Sequence, residues 1–226
     1  MSIAGYYFLL YIGFLLPFLA YRSSKKIHSG QITPSRVRIY VSRLIQLVFL
    51  VALALFAAWH NYLPLFPHAI IGFREIGIGI AAFILKIGYF FFRFRSGKHQ
   101  GSTALQLIAP QTRNEKTLYL WMALMAGVCE EIAYRGVGFQ LFSWITNSYL
   151  AGAFLSAIAF GLAHFVQGRS AVFAVILHAL VDQLVVYLTG TLYIVMVIHF
   201  AYDAIVGLFL SGRIHSLNRQ DTETPS

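Results

Sequence analysis

The chain has 226 residues, 58% hydrophobic and 11% charged, where a soluble domain carries about 25% charged residues. So apolar a chain cannot cover itself with polar surface, which excludes an ordinary soluble globular domain and makes lipid its natural solvent. The net charge of +9 does not point to nucleic acid, because the basic residues sit between apolar runs and no nucleic-acid-binding motif is present; that pattern marks membrane topology and contacts with anionic lipid.

The apolar runs come in order. The first spans Ile3 to Tyr21 and carries Pro17, which should kink it without stopping it from spanning. It lacks a positive leading region and a small-residue cleavage site, so it does not read as a removable signal peptide. A basic stretch with Arg22, Lys25, Lys26, Arg36, Arg38 and Arg43 follows. The second run covers Leu44 to Trp59, and a loop with Pro64 and Pro67 leads to the third, Ile76 to Phe92, which contains Lys86. The longest polar segment, Arg93 to Lys116, is again basic. Four more runs cover Thr117 to Phe142, Ser148 to His164, Ala171 to Leu188 and Leu192 to Leu210. Each approaches the ~20 residues needed to cross a bilayer.

The fold class expected is therefore all-α: a polytopic membrane helical bundle of about seven transmembrane helices, within a range of six to eight. Residues 1–210 form one domain, with a motif-bearing core at 117–210, and the polar tail 211–226 is expected to be disordered. With seven spans and the N-terminus outside, both basic segments, Arg169 and the tail fall on the cytoplasmic side, as the positive-inside rule requires.

Charges inside a bilayer cost about 3 kcal/mol each on insertion scales. The chain has eight acidic residues, so those within apolar runs are the informative ones: Glu130, Glu131, Asp182 and Asp203. Glu131 and Arg135 are four apart and should pair on one helical face. Glu130 then points about 100° away and is left to act. Adjacent carboxylates resist ionising together in low dielectric, but Arg135 can hold one charged, leaving the other suited to general-base work. Phe160 and His164 share a face, as do His199 and Asp203, where the aspartate can fix the imidazole tautomer. His178 and Asp182 repeat that spacing and could line the same cavity or face a neighbouring helix. Lys86 could snorkel or pair with a carboxylate. The single cysteine, Cys129, excludes an internal disulfide and a cysteine-based zinc site, and reads as a small packing residue.

Glu130-Glu131-x-x-x-Arg135, Phe160-x-x-x-His164 and His199-x-x-x-Asp203, in that order within apolar helices, resemble the motifs of the CAAX protease and bacteriocin-processing family, the Abi or CPBP intramembrane proteases. The resemblance covers roughly Trp121 to Leu210 and includes Thr189-Gly190-Thr191-Leu192 before the last motif. It implies an intramembrane endopeptidase acting on a membrane-anchored or hydrophobic peptide within the lipid bilayer. Glu130 would activate water with help from His164. His199 and Asp203 would stabilise the oxyanion, and Glu131 and Arg135 would orient the site. The family often has Asn at the last position; an ionised Asp203 cannot donate to an oxyanion, so it would act through His199 or be protonated.

No cofactor is expected. A divalent metal on Glu130, His164 and His199 is the lesser reading, since the chain lacks the His-Glu-x-x-His pattern. Buried acids and histidines also build proton relays, so a proton-coupled transporter is the alternative from another class; a non-catalytic immunity or scaffold protein is a third.

Overall fold

The structure, a computed structural model, describes residues 1–31, 34–65, 71–96 and 108–223. The loop residues 66–70 with Pro67, and residues 97–107 of the long basic segment, lie outside the described residues. Among the described residues seven helices follow one another, and every apolar run of the sequence becomes one.

Helix α1, residues 3–28, joins three segments: Ile3–Leu10, a π-helical Tyr11–Leu15 and Leu16–His28. The widened turn lies just ahead of Pro17, whose missing N–H disturbs the regular ladder. Helix α2 is Arg36–Asn61 and α3 is Phe73–Arg95. Ser35 caps α2 by accepting from the Arg38 N–H, and Tyr62, in the left-handed region, ends it. Helix α4, residues 113–146, joins Arg113–Glu130, a π-helical Glu131–Gly138 and Phe139–Thr146. It starts at a reciprocal cap in which Thr112 accepts from the Glu115 N–H and the Glu115 carboxylate accepts from the Thr112 N–H. Helix α5 is Tyr149–Ala163, α6 is Arg169–Thr189 and α7 is Tyr193–Glu223, with a short 3-10 turn, Phe165–Gln167, between α5 and α6.

Five of these helices contain stretches long and apolar enough to cross a membrane: Ile3–Ile27, Arg36–Asn61, Phe73–Arg95, Arg169–Thr189 and Tyr193–Arg213. Helix α5 is apolar but shorter, and α4 carries Glu130, Glu131 and Arg135 in its middle. Large apolar side chains such as Phe14, Trp59, Phe73, Leu150 and Val197 point outward, which suits a molecule whose surroundings are acyl chains. The chain is an integral, multi-pass membrane protein.

The polar tail differs from expectation. Helix α7 continues to Glu223, past the apolar run that ends at Leu210.

Helix α4 is the hub. It packs on α2 and α7, and its end packs on α5. Helix α3 lies against α6 and α7, the first half of α1 against α2, and the second half against α5. Gly127 lets α4 and α7 meet: a Cβ there would lie 2.9 Å from the Met196 carbonyl oxygen and 3.0 Å from the Phe200 nitrogen. Gly127 stands one turn before Glu131, so this close approach brings Glu131 within reach of α7.

Candidate active site

The polar residues of the bundle converge on one cavity of about 800 Å³, to which every helix contributes. Glu130, His164, His199 and Asp203 all line it. Its lining also includes Ser23, Pro34, Arg93, Ile108 and Gln167, so it reaches the helix ends where basic residues cluster.

The two adjacent glutamates are separated as expected, with one difference. Both are buried, at 2% and 0% exposure, but only Glu130 lines the cavity. Glu131 lies behind it, with Oε2 3.3 Å from Arg135 Nε and Oε1 2.6 Å from His199 Nδ1. The π-helical stretch starts at Glu131, and such wide turns often occur at functional sites. It places Arg135 between two acids: Nε faces Glu131, and Nη2 lies 3.4 Å from Asp182 Oδ2. The Phe160 ring covers the guanidinium face at 4.3 Å.

Glu130 is not left without a charged partner. Arg43 Nη2, from the first turns of α2, donates to Glu130 Oε1. The other oxygen, Oε2, is 3.6 Å from His199 Nε2. Arg43, 28% exposed, reaches Glu130 from the cavity side. Sequence reasoning missed it, because Arg43 sits in a basic run that reads as a topology signal and its partner is 87 positions away. The available hint was its position directly before the second apolar run.

His164 caps the C-terminus of α5. Its Nδ1 is 2.8 Å from the Phe160 carbonyl oxygen. A carbonyl only accepts, so Nδ1 carries the proton and, in the neutral ring, Nε2 presents a lone pair. The His164 and His199 rings stand 4.5 Å and 6.1 Å from the Phe160 ring, which separates and orients both. His199 Nε2 is also 3.6 Å from Asp203 Oδ2, one turn along α7. Tyr119 donates to the Asp203 carbonyl at 2.9 Å and holds this part of α7 against α4. The Thr189 to Leu192 segment forms the turn into α7, with Gly190 in the left-handed conformation that ends α6.

His178 and Asp182, which repeat the His199–Asp203 spacing, separate in role. Both line the cavity. Asp182 takes Lys86 Nζ on both oxygens, at 2.9 Å and 2.8 Å. His178 packs its ring against Tyr89 and Tyr202. Lys86 is thus paired inside the bundle rather than extended to the interface. Cys129 is a buried free thiol packed in an apolar cluster with Leu47 and Ala126.

Among the described residues, no three His, Cys, Asp or Glu side chains are grouped to hold a metal ion. Glu130, His164 and His199 share the cavity wall without forming such a group.

Residues 113–205 match the family model described as type II CAAX prenyl endopeptidase Rce1-like. Searches among curated proteins and solved structures gave no match. The matched stretch runs from the start of α4 into α7 and holds Glu130, Glu131, Arg135, Phe160, His164, His199 and Asp203. Over residues 113–205 the chain is similar to the Rce1-like CAAX prenyl endopeptidases.

Proposed function

We propose that the protein is an intramembrane endopeptidase that hydrolyses a peptide bond in a membrane-anchored or hydrophobic substrate, with water activated by Glu130. The observation that carries this reading is the division of labour between adjacent glutamates. Glu130 faces the cavity shared with His164, His199 and Asp203, while Glu131 is tied behind it to Arg135 and His199.

In this reading the scissile carbonyl enters from the basic, cytoplasmic end, with the N-terminus outside and the C-terminus inside. Glu130 Oε2 accepts a proton from water, and His164 Nε2 accepts the second water hydrogen as a hydrogen bond, which orients the oxygen lone pair. The resulting hydroxide attacks the carbonyl carbon. His199, as an imidazolium, keeps one N–H on Glu131 and offers the other, on Nε2, to the oxyanion. When the tetrahedral intermediate collapses, the C–N bond breaks and Glu130 returns its proton to the leaving amine. Asp203 stabilises the charged ring of His199 rather than donating to the oxyanion. Arg43 holds Glu130 Oε1, leaving Oε2 for water. No metal enters these steps.

The test compares membrane peptides from cells producing the wild-type protein with those from cells producing Glu130→Ala, by mass spectrometry of new termini. The reading expects new C-termini in or beside membrane-anchored segments with the wild-type protein only. The same termini in both cell populations would overturn it. Proton flux through liposomes containing the purified protein, without such termini, would put the transporter in its place.

A further inference from the structure

A continuous line of ion pairs runs through four helices, from Lys86 and Asp182 on the cavity wall, through Arg135 and Glu131 behind it, to His199 on the wall again. Lys86 on α3 holds both oxygens of Asp182 on α6. Asp182 Oδ2 faces Arg135 on α4, Arg135 Nε faces Glu131, and Glu131 Oε1 reaches His199 on α7. Lys86, Asp182, Arg135 and Glu131 are all at most 3% exposed. A guanidinium is a rigid planar fork, so anchoring two of its nitrogens and its face fixes its position. Here Glu131 faces Nε, Asp182 faces Nη2, and Phe160 lies on the face, which together anchor two nitrogens and the plane of the fork.

We infer that Lys86 and Asp182 are positioning residues that hold Arg135, and through Glu131 set the orientation of the His199 ring. The inference deepens the peptidase reading and rests on it for its link to catalysis. The balance of charge gives the reason. Asp182 is the only anion between two cations, Lys86 and Arg135, among the contacts that join them. Without Asp182, Arg135 has Glu131 alone and draws its carboxylate away from His199. Without Lys86, Asp182 turns fully onto Arg135 and competes with Glu131 for it. Lys86 lies outside residues 113–205, so this support is supplied by a helix beyond the matched segment.

A purely structural ion pair makes a different prediction from a positioning pair. Replacing both buried partners with apolar residues of similar size is often neutral for stability, whereas removing one leaves an unpaired charge. The test variant is therefore Lys86→Met/Asp182→Leu in detergent micelles. Thermal unfolding reports the fold, and ¹⁵N-histidine NMR, with the His199 signals assigned by their loss in His199→Gln, reports the ring. Cleavage of a substrate peptide identified by the new-terminus comparison supplies kcat and KM. The expected result is unfolding close to wild type, shifted His199 ¹⁵N signals and kcat at least tenfold lower with KM unchanged. Unchanged His199 signals in the folded double variant would overturn the inference.

If the double variant does not fold, Asp182→Asn and Asp182→Glu take its place. The amide should shift the His199 signals, and the longer carboxylate should restore them in part; identical wild-type signals in both would overturn the inference. The NMR readout needs no substrate. A shifted ring without cleavage by the wild-type protein would sustain the positioning geometry and bring down only the peptidase reading.

Discussion

Helices α4, α5 and α7 carry candidate site residues in pairs one helical turn apart, whereas α2 and α3 each send a single cation to meet them. Glu131 and Arg135, Phe160 and His164, and His199 and Asp203 are each one helical turn apart. Arg43 and Lys86 have no acidic residue within a helical turn and meet Glu130 and Asp182 only through folding. Yet the cavity takes its walls from both halves. The comparison teaches that in the proposed mechanism the reacting groups all come from the matched segment, while the preceding helices supply two cations, Arg43 and Lys86, that pair with Glu130 and Asp182. A bilayer sharpens this division, since an unpaired buried charge has no water to turn to.

Substitutions should separate the halves, beginning with the largest effect. Glu130→Ala should lower cleavage by about 10²–10⁴-fold, the usual worth of a positioned general base, with thermal unfolding in detergent little changed. His199→Gln should lower kcat by about 10²–10³-fold, as removal of an oxyanion donor does. Arg43→Gln tests the N-terminal half: kcat should fall about tenfold, near 1.4 kcal/mol, and full activity would confine the site to the matched segment. Gly127→Val should push α4 from α7, lowering stability by about 1–3 kcal/mol and lowering kcat with it; lost stability with full kcat would uncouple helix packing from the site. Asp203→Asn should have the smallest effect, within about threefold in kcat, because an amide beside His199 can itself donate to the oxyanion.

The sequence made much of the bundle legible because hydropathy in a membrane chain is a strong signal. Each apolar run corresponds to a helix, and the local pairs needed only helical periodicity. The π-helical turn starting at Glu131 was not legible, since regular α spacing already brought Glu131 to Arg135 and gave no sign of a wider turn. Nor were the Arg43–Glu130 and Lys86–Asp182 pairs, 87 and 96 positions apart, because nothing local distinguishes a paired membrane cation from a topology signal. Asp182 shows the same limit from the other side. Its spacing from His178 copies that of Asp203 from His199, and only packing decides that it serves Lys86 and Arg135 instead.

The central claim is that Glu130, and not its neighbour alone, makes this bundle a peptidase. The most direct measurement is cleavage of an internally quenched peptide, built on a substrate found in the membrane-peptide comparison, by purified protein in liposomes, for wild type and Glu130→Ala at equal folded concentration. The account predicts time-dependent cleavage by the wild-type protein and none above background with Glu130→Ala. Cleavage by Glu130→Ala at the wild-type rate would contradict it.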